Sequence, residues 1–262
     1  MRIKVNDIYL NYELSGKKEA PVVVLSHSLG SSLAMWASQL TALESRYQVL
    51  RYDMRGHGRS DATEGAYSLE QLGEDVVGLL NALNISRVHF VGLSIGGMIG
   101  QAIALNHGER LRSLVLCDTS AYLPPPALPM VQERIETARG QGLQALVDGT
   151  LERWFTPSYI KQNRPSVALI RDQFLATSVA GYIGCSEAIG KLNFQERLLE
   201  ITLPTLIMVG AEDPGTPVAA SEAIHERIQG SKLIVLPSAS HLSNIEQADQ
   251  FNRHLLAFLE AY

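Results

Sequence analysis

Short runs of apolar residues alternate along this chain with longer segments in which apolar residues recur every three or four positions. Seven of the short runs are typical of β-strands, at residues 8–14, 21–26, 47–52, 87–91, 113–117, 205–209 and 232–236. The stretch Val22–Leu25 is continuously apolar, as expected of a strand that is buried on both faces of a sheet. Strands that alternate with helical segments predict βαβ units, an α/β fold class and a mostly parallel sheet.

The helical segments are marked by periodicity and by a helix-start signal. A helix is predicted over residues 69–83, because apolar residues recur at helical spacing behind the capping-box pattern Ser68-x-x-Gln71. A second helix is predicted to begin near Ile95, and a last one to run from about Ile245 to Leu259.

One region interrupts the alternation of strands and helices, which stops after Asp118 and resumes near Leu203. Three successive prolines open the region, and helical periodicity follows them. We interpret residues 122–193 as a helical cap inserted into a core made of residues 1–121 and 194–262. Such an insertion lies over the carboxyl ends of the strands, where open α/β sheets bind ligands, so it is also a candidate lid.

Composition excludes several classes of protein. The 262 residues include 22 Lys plus Arg against 27 Asp plus Glu, a net charge of −5, and 46% of them are hydrophobic. The chain can therefore bury a sizeable core, and intrinsic disorder is not expected. No stretch of basic residues indicates nucleic-acid binding. Cys117 and Cys185 are too few for a zinc cluster and suit buried thiols.

The N-terminal residues lack the apolar stretch of a signal peptide, and no window is long and apolar enough to span a membrane. We expect a cytoplasmic protein that does not bind membranes.

The motif with the clearest chemistry is Gly92-Leu93-Ser94-Ile95-Gly96, which matches G-x-S-x-G. Small residues on both sides let the chain turn sharply from strand to helix and hold the serine oxygen exposed. A glycine-rich turn would give the same letters by chance, but here the motif follows an apolar run and precedes a helical stretch. This context predicts that Ser94 is a nucleophile.

A serine hydroxyl needs an imidazole to accept its proton and a carboxylate to orient that imidazole. Asp213 and His241 each follow a predicted strand, so both are expected at the sheet edge that also carries Ser94. Glu212 is a rival to Asp213, and a turn carboxylate before proline is the alternative interpretation of Asp213 itself. His57 lies in a tight glycine-containing loop and is interpreted as structural.

Acyl transfer also requires N–H donors for the developing oxyanion. The backbone N–H of Ile95, directly after the serine, and that of Leu29, in the loop after an early strand, are predicted to supply them. The other histidines are not paired at metal-ligand spacing, so a metallohydrolase is not expected.

Several motifs together resemble the α/β-hydrolase superfamily over almost the whole chain: His27-Ser28-Leu29-Gly30, Asp53-x-Arg55-Gly56-x-Gly58-x-Ser60, Gly92-x-Ser94-x-Gly96-Gly97, Gly210-x-x-Asp213-x-x-x-Pro217 and Ser240-His241. Further stretches are similar to 3-oxoadipate enol-lactonases, at residues 31–36, 51–53, 153–156 and 181–189. The resemblance implies an eight-stranded sheet, a helical cap, a Ser94–His241–Asp213 triad and no cofactor.

The same resemblance suggests pocket residues. Ser28 stands where many family members have glycine, and it places a hydroxyl beside the expected oxyanion hole. Trp154 is expected either to line the pocket or to anchor the cap. Because the lactonase substrate is an anion, a cationic cap residue is also expected; the available ones are Arg134, Arg139, Arg153, Arg164 and Arg171.

The function predicted is hydrolysis of a small carboxylic ester or lactone through an acyl-enzyme, with 3-oxoadipate enol-lactone as the first substrate to test. A broad short-chain carboxylesterase, a perhydrolase-type enzyme and a carbon–carbon bond hydrolase use the same residues and stay open. A non-catalytic ligand receptor on this fold is an alternative from another class. The expected partner is a small-molecule substrate, and the sequence does not decide between a monomer and a homo-oligomer.

Overall fold

Eight strands form one sheet in the computed structural model, which describes residues 1–262. In chain order they are β1 (Arg2–Val5), β2 (Ile8–Gly16), β3 (Val22–Ser26), β4 (Gln48–Tyr52), β5 (Val88–Leu93), β6 (Leu111–Cys117), β7 (Thr205–Gly210) and β8 (Lys232–Leu236). The spatial order is β1-β2-β4-β3-β5-β6-β7-β8, and only β2 runs antiparallel to its neighbours. The predicted mostly parallel sheet is confirmed. The strand without a counterpart among the seven apolar runs is β1, which is only four residues long.

Eleven α-helices accompany the sheet: α1 (Ala37–Glu44), α2 (Leu69–Ala82), α3 (Ile95–Asn106), α4 (Leu128–Gln141), α5 (Val147–Trp154), α6 (Pro157–Lys161), α7 (Pro165–Ala176), α8 (Val179–Gly190), α9 (Val218–Arg227), α10 (Ser243–Glu246) and α11 (Ala248–Leu259). The predicted start of α2 is confirmed, since the Ser68 hydroxyl accepts a hydrogen bond from the Gln71 N–H at 3.0 Å. The predicted last helix is broken at Gln247, whose backbone is not helical. None of the helices combines the length and apolar character needed to cross a membrane.

The core lies on both faces of the sheet. Successive residues of β5 alternate between two apolar clusters: Phe90 belongs to one and Val91 to the other. Helices α2, α3 and α9 cover the first face, and α1 and α11 cover the second. Because both faces are buried, β3 is buried along its whole length, as its continuously apolar sequence suggested.

Helices α4 to α8 all lie between β6 and β7, within the segment interpreted as a cap. An isolated antiparallel bridge pairs Tyr122 with Asn193, the two residues at which the cap was predicted to begin and end. The cap rests closely on the loop after β4, because a Cβ on Gly181 would lie 2.3 Å from the carbonyl oxygen of Gly56. We propose that residues 122–193 form a cap that packs on the core formed by the rest of the chain.

Parallel strands bring their carboxyl ends to one edge of the sheet. The segments that follow β3, β5, β6, β7 and β8 therefore meet there, and they carry Leu29, Ser94, Asp118, Asp213 and His241 respectively. This edge faces the cap, and the space between them holds the candidate site.

Candidate active site

A cavity of about 400 Å³ lies between the carboxyl edge of the sheet and the cap. Core and cap both contribute to its lining, including Ser94, Asp213 and His241 from the core and Trp154 from the cap. The structure thus brings together the three residues that the sequence singled out for acyl transfer, although they are widely separated along the chain.

Ser94 occupies a sharp turn between β5 and α3, with φ 58° and ψ −121°. The turn needs small neighbours, because a Cβ on Gly92 would lie 2.1 Å from the carbonyl oxygen of Gly96. The backbone is held on both sides: the Ser94 N–H donates to the Cys117 carbonyl at 2.9 Å, and the Thr119 hydroxyl donates to the Ser94 carbonyl at 2.7 Å. The Ser94 hydroxyl makes no capping bond to α3, which leaves it available at the cavity.

His241 and Asp213 form a buried pair. The His241 Nδ1 lies 2.8 Å from Asp213 Oδ2, and the same oxygen accepts the Thr216 hydroxyl at 2.6 Å. The other oxygen accepts the N–H groups of Gly215 and Thr216 at 2.8 and 3.1 Å. With Nδ1–H bound to the carboxylate, Nε2 of the ring is left as a proton acceptor.

Electrostatics keeps Asp213 ionised and makes the His241 imidazole more basic. Burial opposes the charge on Asp213, but the charge and hydrogen bond of His241 and the hydrogen bonds of Thr216 outweigh it, so the pKa of Asp213 is lowered. Burial also opposes a charged His241, yet the neighbouring Asp213 outweighs it and raises the pKa of His241. A basic imidazole beside a persistent carboxylate can take a proton from a hydroxyl in the cavity.

Glu212, the rival acid, points away from this arrangement. Its side chain is exposed, whereas Asp213 is buried against His241. Although the two carboxylates are adjacent in sequence, only that of Asp213 lies against His241 and can orient the imidazole.

The loop after β3 presents a free N–H to the cavity. The N–H of Gly30 donates to His57 Nε2 at 2.9 Å, whereas the N–H of Leu29 has no acceptor within the protein. As the first residue of α3, Ile95 has no intrahelical acceptor for its N–H either. Its side chain belongs to the core, and only Leu29 of the two lines the cavity. These two N–H groups can serve as oxyanion donors.

His57 supports this loop as a neutral acceptor. Burial, with a smaller contribution from neighbouring His27, lowers the pKa of His57 to about 3. Its Nδ1 lies 3.1 Å from the Arg55 carbonyl, which only an N–H can satisfy, so Nε2 is free to accept from Gly30. His57 occupies the Gly30 N–H, whereas the Leu29 N–H stays unpaired.

Ser28 and Trp154, the two predicted pocket residues, both line the cavity. The Ser28 hydroxyl is fully buried and has no hydrogen-bond partner. The Trp154 ring stacks on the His241 ring, with centroids 6.2 Å apart and planes 28° apart, and it also meets Phe174 edge-on at 5.9 Å. Trp154 therefore combines both alternatives, lining the cavity while packing the cap onto His241.

The structure separates the five cap arginines into two groups. Three are engaged at the surface: Arg139 pairs with Glu136, Arg171 pairs with Asp148, and Arg164 lies over the ring of Tyr159. Arg134 and Arg153 instead line the cavity, and their hydrogen bonds go to the neutral Met130 sulfur and Thr150 hydroxyl. Burial, and then the charge of Arg134, lower the pKa of Arg153. Two partly buried guanidinium groups without a carboxylate can bind an anion.

Asp118 is a buried carboxyl group that the sequence analysis did not single out. Its oxygens accept the Gly210 N–H at 2.8 Å and the Ser243 hydroxyl at 2.5 Å. Burial, and then the charge of Asp213, raise the pKa of Asp118 well above its usual range. It joins the end of β7 to the start of α10, next to both members of the His241–Asp213 pair. The sequence signal that could have identified Asp118 is its position directly after β6, at the same sheet edge as the other site residues.

Replacing Asp118 by alanine should destabilise the fold, because the Gly210 N–H and the Ser243 hydroxyl would lose their buried partner. At about 1–3 kcal/mol for each of the two unsatisfied groups, the free energy of unfolding should fall by about 2–6 kcal/mol in urea denaturation. Asp118→Asn keeps one acceptor and should lose less. Asp172→Ala, at an exposed position of α7, is the control; equal stability of Asp118→Ala and this control would contradict the assignment.

No group of three or more His, Cys, Asp or Glu side chains is arranged to hold a metal ion. The cavity offers a serine hydroxyl, a carboxylate-bound imidazole, the free N–H of Leu29 and two guanidinium groups, and the free N–H of Ile95 directly follows Ser94. These parts suit acyl transfer to water on a substrate that carries a negative charge.

Comparison with known proteins gives the class to which this chain belongs. A family model of the alpha/beta hydrolase fold matches residues 21–248, so the chain is a member of the α/β-hydrolase family. It is 35% identical over 260 residues to 3-oxoadipate enol-lactonase 2 of Acinetobacter baylyi, covering 99% of this chain and 96% of that protein.

Solved structures extend the comparison. The enol-lactonase of Burkholderia xenovorans LB400 superposes with a TM-score of 0.96 at 40% identity, covering 99% of this chain and 100% of that one. An esterase of Thermogutta terrifontis, solved with malate bound, has a TM-score of 0.93 at 27% identity, covering 100% and 98%. The predicted resemblance to enol-lactonases is confirmed, and these relatives support the prediction of an ester hydrolase.

Proposed function

We propose that this protein is a serine hydrolase that opens a small lactone bearing a carboxylate, with 3-oxoadipate enol-lactone as its substrate. The observation that carries the proposal is the composition of one cavity: Ser94 and the His241–Asp213 pair lie on its core side, and unpaired Arg134 and Arg153 lie on its cap side. Two relatives with high coverage are named as enol-lactonases, one of them as a 3-oxoadipate enol-lactonase.

In the first half-reaction, Ser94 Oγ attacks the lactone carbonyl while its proton passes to His241 Nε2. The carbonyl oxygen becomes negative, and the N–H groups of Leu29 and Ile95 stabilise it. Collapse of the tetrahedral intermediate breaks the ring C–O bond, and His241 returns the proton to the departing oxygen. Asp213 holds the imidazole in the required tautomer and stabilises its positive charge.

The second half-reaction hydrolyses the acyl-enzyme. Because the ring oxygen stays attached to the acyl chain, opening the lactone releases nothing from the cavity. An enol leaving group converts to a ketone, which makes the first step hard to reverse. A water molecule then gives its proton to His241 and attacks the acyl carbon, and Ser94 leaves with that proton.

The substrate class follows from the cap. Arg134 and Arg153 are suited to bind the free carboxylate of the substrate, while Trp154 and Met98 give the cavity an apolar lining for its carbon chain. A volume of about 400 Å³ fits a small acid of this kind. The malate bound to the Thermogutta terrifontis esterase is a small dicarboxylate in a related fold, which agrees with an anionic ligand.

The test compares the lactone acid with its neutral methyl ester. Arg153→Gln and Arg134→Gln should each lower kcat/KM for the anionic lactone by about 10- to 100-fold, because a charge-assisted pair contributes about 1.5–3 kcal/mol. Both variants should keep kcat/KM for the neutral ester within about threefold. Arg139→Gln, which removes a guanidinium paired with Glu136 at the surface, is the matched control.

Other outcomes select the alternatives. Turnover of neutral short-chain esters without the lactone acid would indicate a general carboxylesterase and would refute the role of the two arginines. Stoichiometric binding of the lactone acid with no turnover of any ester would indicate a ligand receptor instead of an enzyme.

A further inference from the structure

The segment that carries His241 is hydrogen-bonded to one segment of the cap. The Ser240 hydroxyl donates to the Arg153 carbonyl at 2.8 Å, and the Leu242 N–H donates to the Trp154 carbonyl at 3.1 Å. The two residues on either side of His241 are thus tied to the two cap residues that line the cavity beside it.

Glu246, the last residue of α10, adds a bridge between the same two segments. Its Oε2 accepts the N–H of Ser240 at 2.6 Å. Its Oε1 accepts both the N–H and the hydroxyl of Thr156, at 2.9 and 2.7 Å. Thr156 is also the N-cap of α6, so one carboxylate joins the residue before His241 to the start of a cap helix.

The bridge depends on a carboxylate of this length. Three donors converge on two oxygens, and an ionised carboxyl group is the side chain that only accepts. An amide at this position would place its NH₂ against one of the donors and would lose one side of the bridge. A side chain shorter by one methylene could reach Ser240 or Thr156 but not both.

We propose that Glu246 is a positioning residue that joins the cap segment 153–156 and the His241 segment into one rigid unit. Arg153 and Trp154, which lie on the cap side of the cavity, are then held in a fixed position relative to His241. The stacking of Trp154 on His241 adds a further contact between the two segments, on the side of the cavity. This inference rests on the proposed function, in which His241 is the base, and it means that this edge of the cap does not open as a lid during turnover.

The main test is Glu246→Gln, assayed with the anionic lactone and with its neutral methyl ester. We expect kcat to fall by about 10- to 100-fold on both substrates, since both depend on His241 and a displacement of about 1 Å can cost that much. KM for the neutral ester should change by less than about threefold. The acid limb of the kcat/KM–pH profile should stay at the same pH, because the groups that raise the pKa of His241 are unchanged.

A second readout follows Ser94 directly. The rate at which a fluorophosphonate labels Ser94 should fall in parallel with kcat, because labelling also requires His241 in place. Glu246→Asp should be impaired although it keeps the charge, and Thr156→Val, which removes one of the three donors, should lose about 3- to 10-fold in kcat. Glu200→Gln, at an exposed carboxylate paired with Arg197, is the control.

The outcomes separate the two proposals. If Glu246→Gln folds and keeps wild-type kcat and labelling while only its melting temperature falls, Glu246 is an anchor of the cap and the inference is overturned. If Glu246→Gln does not fold, wild-type kcat in Thr156→Val overturns it equally. If the wild type itself is not labelled at Ser94, the proposed function fails and this inference falls with it.

Discussion

Ser94→Ala should lower kcat by at least about 10⁴-fold on both the lactone and a short-chain p-nitrophenyl ester, because the proposed reaction passes through an ester on the Ser94 oxygen. The variant should fold normally, since the Ser94 hydroxyl makes no capping bond to α3 and the backbone of the elbow is held by Cys117 and Thr119. Steady-state kinetics should be combined with mass spectrometry after fluorophosphonate treatment, which should add a single label to the wild type.

Ser45→Ala, an exposed serine at the end of α1, provides a matched control and should keep full activity. Residual activity of Ser94→Ala within about tenfold of the wild type would show that the nucleophile lies elsewhere and would remove the acyl-enzyme from the mechanism. A labelled wild type beside an unlabelled, inactive Ser94→Ala would support the nucleophile independently of the preferred substrate.

Asp213→Asn should lower kcat by about 10³- to 10⁴-fold, because the asparagine amide can stabilise the wrong tautomer of His241 and carries no charge to balance the imidazolium. The pH profile should change as well. Asp213 raises the pKa of His241 against the opposing effect of burial, and His241 must be neutral to act as a base. Without the carboxylate, burial dominates and the pKa falls, so the acid limb of kcat/KM should move to lower pH.

Glu212→Gln is the control for this experiment, since Glu212 is the adjacent carboxylate and its side chain is exposed. It should keep wild-type kcat and the same pH profile. An acid limb that stays in place in Asp213→Asn, or that moves to higher pH, would contradict the assignment of Asp213 as the partner of His241.

The sequence was most informative where function depends on neighbours along the chain. The elbow at Ser94 needs glycines two residues away on each side, and the strand–turn–helix context is visible in the apolar pattern. The convergence of Ser94, Asp213 and His241 was also predictable, because residues that directly follow parallel strands meet at one edge of the sheet. The structure brings these three residues to one cavity.

The sequence did not predict the features of the site that depend on the direction of a side chain. Five cap arginines are equivalent by pattern, and only the arrangement of the cap in the tertiary structure places Arg134 and Arg153 at the cavity. Glu246 shows no motif, because its partners Ser240 and Thr156 are brought to it by different elements. Asp118 was visible as an acid at a strand end, but its contact with Ser243 spans much of the chain.

The sequence by itself determined the α/β class, the nucleophile elbow and the order of the serine, acid and histidine, because these follow from local periodicity and from the geometry common to parallel sheets. Only the tertiary structure decided that Asp213 and not Glu212 lies against His241, that Arg134 and Arg153 line the cavity, and that Glu246 joins the His241 segment to the cap. The physical reason is that strand ends are placed by the backbone, whereas a buried charge finds its partner through contacts between distant segments.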